Sequence, residues 1–240
     1  MTSATHRAGS AARFGLGLLV VAWLHIASAK AAERAVAIPP LAAAVTSEPR
    51  ATPESAIAVF AGGCFWGVQG VFQHTRGVLQ AVSGYAGGSK ATAVYGLVGT
   101  GMTGHAEAVQ VSFDPKQISY AQLMQIFFSV AHDPTQLNRQ GPDRGTQYRS
   151  AVFFTDASQK AATERHIAQL DAARVFPAKI VTQVVPLAAF YAAEDYHQDY
   201  ATRHPDSGYI ATFDLPKIAN LKTMFPDWYR TQPVLVMARR

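Results

Sequence analysis

The chain has 240 residues, 49% hydrophobic and 15% charged, which excludes a disordered polypeptide and fits one ordinary domain with an N-terminal appendage. A formal net charge of +5, scattered along the sequence, is too small to argue for nucleic-acid binding, and two of those charges, Arg7 and Arg13, fall in the appendage. A single cysteine, Cys64, excludes an internal disulfide and is either packing or chemistry.

Arg7 and Arg13 precede an apolar run from Phe14 to Ile26 that closes on Ala27-Ser28-Ala29, a small-x-small cleavage pattern. Residues 1–29 therefore read as a signal peptide and the remainder as an exported, periplasmic protein with no membrane attachment once the signal is cleaved. The alternative is an uncleaved anchor, but the apolar run is shorter than the roughly 20 residues a spanning helix requires. Residues 30–56, rich in Ala and Pro, read as a flexible lead-in to a domain over 57–240.

Within the domain, Ile57 to Ala61 is a short apolar strand, broken by Gly62-Gly63 before Phe65, Val68 and Phe72 take up helical spacing. This places Cys64 at a helix start. Val78 to Tyr85 reads as a second strand, Ser89 to Thr103 as a glycine-punctuated loop, and Glu107 to Phe113 as a third strand. Ser119 with Gln122 forms a capping box ahead of Leu123, Ile126, Phe127 and Val130, a helix that ends near His132-Asp133-Pro134. A polar loop leads to a strand from about Tyr148 to Phe154, and Asp156 caps a helix to about Ala173. Ile180 to Val185 is the last core strand, followed by short helices and coil. The order β-α-β-β-α-β predicts an α/β (α+β) two-layer sandwich with a split β-α-β, ferredoxin-like core and a coil-rich C-terminal extension. No CxxC motif, phosphate-binding glycine loop or convincing metal-ligand spacing is present.

Thiol reactivity follows the thiolate fraction, and the positive end of a helix lowers a cysteine pKa, so Gly63-Cys64-Phe65 is a favourable setting for a nucleophile. By composition alone a small buried hydrophobe is an equal alternative. Phe65 and Trp66 offer an apolar cup for a small alkyl group beside sulfur, or ordinary core packing. Strand alternation puts Glu107 on the face of Val109, Val111 and Phe113, where desolvation would raise its pKa and let it act as a general acid near neutral pH. A strand-end carboxylate reaching water is the bland alternative. Tyr95, Asp143 and Tyr148 lie in or beside loops that could supply hydrogen bonds over a cleft.

The segments GGCFWG at 62–67, GYAGG at 84–88, TGHAEAV at 103–109, HDPTQ at 132–136, GTQYRSAVF at 145–153 and FYAAEDYHQDY at 190–200 resemble the A-type peptide methionine sulfoxide reductases, in order and over nearly the whole domain. The resemblance implies a catalytic Cys64, an acid at Glu107, hydrogen-bonding groups at Tyr95, Asp143 and Tyr148, and a substrate methyl held by Phe65 and Trp66. It also implies reduction of methionine S-sulfoxide, free or in proteins, through a Cys64 sulfenic acid, with no bound cofactor or metal and an external thiol such as thioredoxin as reductant. The chain departs from the family pattern in three respects, one being the signal peptide, which is not general in the family. Ile210 follows Gly208-Tyr209 where many relatives carry a recycling cysteine, and Ala93-Val94 precede Tyr95 where relatives often have Asn-Pro. Two other readings stay open: a thiol hydrolase pairing Cys64 with His105 or His197, and a binding protein for oxidised methionine that has lost turnover.

Overall fold

The computed structural model describes Met1, residues 34–41 and residues 54–237. Apart from Met1, the expected signal peptide lies outside the described residues, as do residues 30–33 and 42–53 of the expected lead-in. Among the described residues no helix is long and apolar enough to cross a membrane.

In chain order the elements are β1 (Ala56–Gly62), α1 (Phe65–Gln73), β2 (Val78–Ala86), α2 (Tyr95–Val98), β3 (Ala106–Phe113), α3 (Tyr120–Ile126), β4 (Arg139–Gln140), β5 (Asp143–Arg144), β6 (Ser150–Phe154), α4 (Ala157–Ala172), β7 (Gln183–Pro186), β8 (Phe190–Ala192), α5 (Tyr200–Arg203) and α6 (Leu215–Met224). The sheet runs β7-β6-β1-β3-β2-β8. Its inner four strands are mutually antiparallel, the order and sense of a split β-α-β core, and β7 adds in parallel to β6 through the α4 crossover.

Local sequence explains the element starts. Ser119 accepts the Gln122 N–H at 3.2 Å while the Gln122 side chain accepts the Ser119 N–H at 2.8 Å, a complete capping box on α3. Asp156 accepts the Ser158 and Gln159 N–H groups at the start of α4. Past Ile126 the helix continues as a π turn over Phe127–Ala131 and stops at His132, whose extended backbone precedes Asp133-Pro134.

Strand alternation splits the buried side chains between two faces. Ala58, Phe60, Val109, Val111, Phe113 and Val152 pack beneath α1, α3, α4 and α6; Val59, Ala61, Ala106, Ala108, Ala151 and Phe153 face the other way, against Val185, Leu187 and Phe190. At the mouth of the sheet Arg149 donates to the carbonyls of Gly104 (2.9 Å), His105 (3.1 Å) and Thr146 (2.9 Å) and to Gln183 Oε1 (3.2 Å).

The structure differs from expectation in four places. The strand expected from about Tyr148 begins at Ser150, because Tyr148 closes a 3-10 turn over Thr146–Tyr148. The last strand begins at Gln183, because the Ile180 N–H is taken by Asp171 and the Val181 N–H by the Pro134 carbonyl. The loop after Ser89 contains the helical turn α2, and the edge strand β8 was not expected. Residues 34–41, within the expected flexible lead-in, lie against the domain: the Val36 N–H donates to the Ser129 carbonyl, Ser129 Oγ donates back to Val36, and Gln125 and Gln169 donate to the Ile38 and Pro40 carbonyls. Four backbone polar groups thus find partners there, and Ile38 joins the core.

Candidate active site

Cys64 is the N-cap of α1, reached through Gly63 at φ +90°. Only glycine suits that turn, since a Cβ there would also stand 2.5 Å from Gln140. The thiol is buried, and its pKa goes the opposite way from the sequence expectation. Burial pushes it well above the ordinary thiol value, the charges of Glu107, Asp214 and Asp143 push in the same direction, and the Trp66 backbone hydrogen bond at the helix start opposes them only in part. The helix terminus is where the sequence placed it, but desolvation wins.

Glu107 is 2% exposed, heads the Val109, Val111, Phe113 row and is paired across the ladder with Tyr85. Its Oε2 accepts the Phe65 N–H at 3.0 Å, which ties the carboxyl to the residue after the cysteine. Burial raises its pKa to about 8; the Phe65 hydrogen bond opposes the shift, and Asp143 and Asp214 add to it. At neutral pH this carboxyl therefore holds a proton that it can give away.

A cavity of about 190 Å³ opens above these groups, lined by Cys64, Phe65, Trp66, Tyr95, Glu107, Asp143, Tyr148 and Tyr209. All seven residues singled out from the sequence meet there. The eighth, Tyr209, was not: its hydroxyl donates to Asp143 Oδ2 at 2.5 Å and its ring stands edge-on to Trp66. The Gly208-Tyr209 pair was visible in the sequence but was read only for the absence of a following cysteine. Burial pushes the phenols of Tyr95 and Tyr148 upward, and the Glu107 and Asp143 charges add to this, so both stay hydrogen-bond donors across the neutral range.

Segment 190–200 supports the cavity from behind. The Trp66 indole stacks on Tyr200 at 3.9 Å between centroids and donates to His197 Nδ1 at 3.3 Å. Glu194 accepts the Tyr95 N–H at 2.9 Å and the Tyr85 hydroxyl at 2.8 Å, which fixes the start of α2. A second, much smaller space of about 10 Å³ is lined by Cys64, Gln140, Asp143, Tyr209 and Lys217 among others. Asp214, fully buried against Gly67 and 3.8 Å from Lys217 Nζ, has its pKa raised by burial to about 6, with Lys217 pulling the other way. Neither Asp214 nor Lys217 carried a sequence signal.

The two histidines of the hydrolase reading line neither space. The His105 ring accepts the Gly88 N–H and bonds the Ser89 carbonyl, and His197 is engaged by the Trp66 indole. Among the described residues no group of three or more His, Cys, Asp or Glu is gathered to hold a metal ion. The arrangement suits a small ligand whose polar oxygen faces a protonated carboxyl and two phenols while another atom meets the sulfur.

Comparison with known proteins gives a consistent result. The family "Peptide methionine sulfoxide reductase" matches residues 56–228. The chain is 57% identical over 189 residues to a protein of Mesorhizobium japonicum named peptide methionine sulfoxide reductase MsrA 2, covering 79% of this chain and 97% of that one. It is 48% identical over 184 residues to MsrA of Deinococcus radiodurans, covering 77% and 88%. Among solved structures, methionine sulfoxide reductase A of Corynebacterium diphtheriae aligns at TM-score 0.56 with 35% identity over 73% of this chain and 87% of that one. Reduced Mxr1 from Saccharomyces cerevisiae aligns at TM-score 0.59 with 32% identity over 67% and 91%.

Proposed function

The chain belongs to the peptide methionine sulfoxide reductase family, and on that premise we propose that it reduces the S epimer of methionine sulfoxide in the Cys64 cavity and is recycled by an external thiol. The enzyme is an oxidoreductase acting on methionine sulfoxide. The observation that carries the residue roles is the buried Glu107 carboxyl, protonated up to about pH 8, bonded to the residue next to Cys64.

Cys64 Sγ attacks the sulfoxide sulfur while Glu107 gives its proton to the sulfoxide oxygen, held by the Tyr95 and Tyr148 hydroxyls. Because burial keeps the thiol protonated, its proton leaves as the sulfur attacks and replaces the one lost from Glu107. The substrate sulfur–oxygen bond breaks, hydroxyl ends on Sγ as a sulfenic acid, and methionine departs with its methyl released from Phe65 and Trp66. Asp143, bonded to Tyr209, orients the polar wall. Cys64 sulfenic acid then condenses with one external thiol, releasing water, and a second thiol frees Cys64 as the external disulfide forms. With one cysteine in the chain, an external thiol must also resolve the sulfenic acid, and a thioredoxin-like thiol is the reductant proposed.

The signal-peptide pattern of residues 1–29 supports a periplasmic site of action, which requires a reductant of that compartment. The test is turnover of the two sulfoxide epimers with dithiothreitol, thioredoxin and glutathione in turn. Turnover of the S epimer alone, with thioredoxin supporting it, is expected. Equal use of both epimers, or activity that survives Cys64→Ser, overturns the proposal.

A further inference from the structure

Among the described residues four exposed large hydrophobic side chains, Val94, Tyr95, Leu97 and Met102, fall on the one segment that carries Tyr95 into the cavity, and Tyr196 is also exposed. Tyr95 lines the cavity, and Tyr196 packs on His197, which packs on Tyr95. Scattered exposed hydrophobics are ordinary, but four within nine consecutive positions are a patch. No Asp, Glu, Lys or Arg occurs between Lys90 and Glu107, so the 94–102 turn itself carries no fixed charge. Its backbone is held in shape: Gly101 and Gly99 carbonyls accept from Thr146 Oγ1 (2.6 Å) and Gln147 Nε2 (3.1 Å), and the Tyr95 N–H is held by Glu194. Val94 is 47% exposed.

We propose that the 94–102 turn, with Tyr196, is a docking lip for the apolar residues flanking an oxidised methionine in an extended polypeptide. The lip selects sulfoxides set in apolar sequence over the free amino acid and over sulfoxides flanked by charges. This rests on the catalytic reading above, because the occupant is placed by continuity of the lip with the Cys64 cavity. An extended chain threading its sulfoxide side chain past Tyr95 lays a neighbouring residue on this turn, and an uncharged apolar surface rewards an apolar neighbour while leaving a charged one without a partner on the turn.

The test compares three substrates: free methionine sulfoxide, a pentapeptide with the sulfoxide between valine and leucine pairs, and one with it between lysine and glutamate pairs. Wild-type enzyme is expected to show kcat/KM about tenfold higher for the apolar peptide than for either other substrate. Val94→Ser, Leu97→Ser and Met102→Ser combined are expected to remove that advantage through KM and to leave free methionine sulfoxide unchanged. Equal kcat/KM for the three substrates in the wild type overturns the lip, as does a combined variant that keeps the preference. So does sedimentation showing a wild-type dimer that the combined variant dissolves, because the lip would then be covered by a second copy. Absence of turnover on all three overturns the catalytic reading itself.

Discussion

At the active-site end of the central sheet both faces are buried, yet they are chemically opposite. On β3, Glu107, Val109, Val111 and Phe113 share one face, while Ala106 and Ala108 point to the other, and all six are essentially inaccessible. The alanine face packs Ala61, Ala106, Ala108 and Ala151 with Val59 and Phe153 against Val185, Leu187 and Phe190. The large-residue face ends, at Glu107, under the loops that carry Tyr95, Asp143 and Tyr148. Burial alone therefore does not make a site. It does so where a row of large side chains runs out and polar loops close over the end, so that a carboxyl is desolvated yet faces an opening.

Experiments can break this contrast in order of effect. Cys64→Ser should lower sulfoxide reduction at least a thousandfold with the fold intact, measured by methionine release and far-ultraviolet circular dichroism. Glu107→Gln should slow sulfenic acid formation about a hundredfold or more in single turnover. The same substitution should stabilise the protein at high pH. Glu107 has an ordinary value of 4.5 and a folded value of about 8, so the stability its neutral form contributes is complete below pH 4.5 and lost as pH rises through 8. Glutamine escapes that loss, and urea unfolding at pH 9 should favour the variant by about 5 kcal/mol. Lower activity without higher stability at pH 9 would show that Glu107 is not desolvated.

Wild-type sulfenic acid formation should fall about tenfold per pH step above 8, as Glu107 loses the proton it must donate and its charge holds the thiol back. Glu107→Gln should lack that limb. On the opposite face Ala108→Leu should destabilise by about 1–3 kcal/mol through overpacking, with little change in rate per folded molecule. The smallest effect expected is from Asp214→Asn. Removing a buried charge that pushes Cys64 upward should shift thiolate formation, read at 240 nm, toward lower pH. An unmoved titration would remove Asp214 from the site.

The legible parts of the sequence were those in which function rides on local pattern. Glycines ahead of a helical row marked the turn at Cys64; alternation on β3 marked the burial of Glu107; Ser119 with Gln122, and Asp156, marked helix starts. Tyr209, Asp214 and Lys217 were not legible, because they lie in a stretch of short helices and coil whose position is set by long-range contacts. One example is Asp199, at φ +58°, which accepts the Gln73 side chain and the Val236 and Met237 N–H groups and so pins the chain end to α1. The direction of the Cys64 shift was missed for a related reason. A helix terminus is written locally, whereas the depth of burial and the three carboxylates around the thiol come from four separate segments.

Arg149 has a consequence for how the molecule breathes. Its one guanidinium holds the Gly104 and His105 carbonyls just before β3, the Thr146 carbonyl before Tyr148, and the Gln183 side chain on β7. Segments far apart in sequence thus share a single rivet. Amide hydrogens in residues 99–106 and 146–150 should exchange with deuterium as one cooperative unit and not as two independent loops. Replacing the fork by a lysine, which cannot reach all these acceptors at once, would let the acid strand and the tyrosine turn open separately.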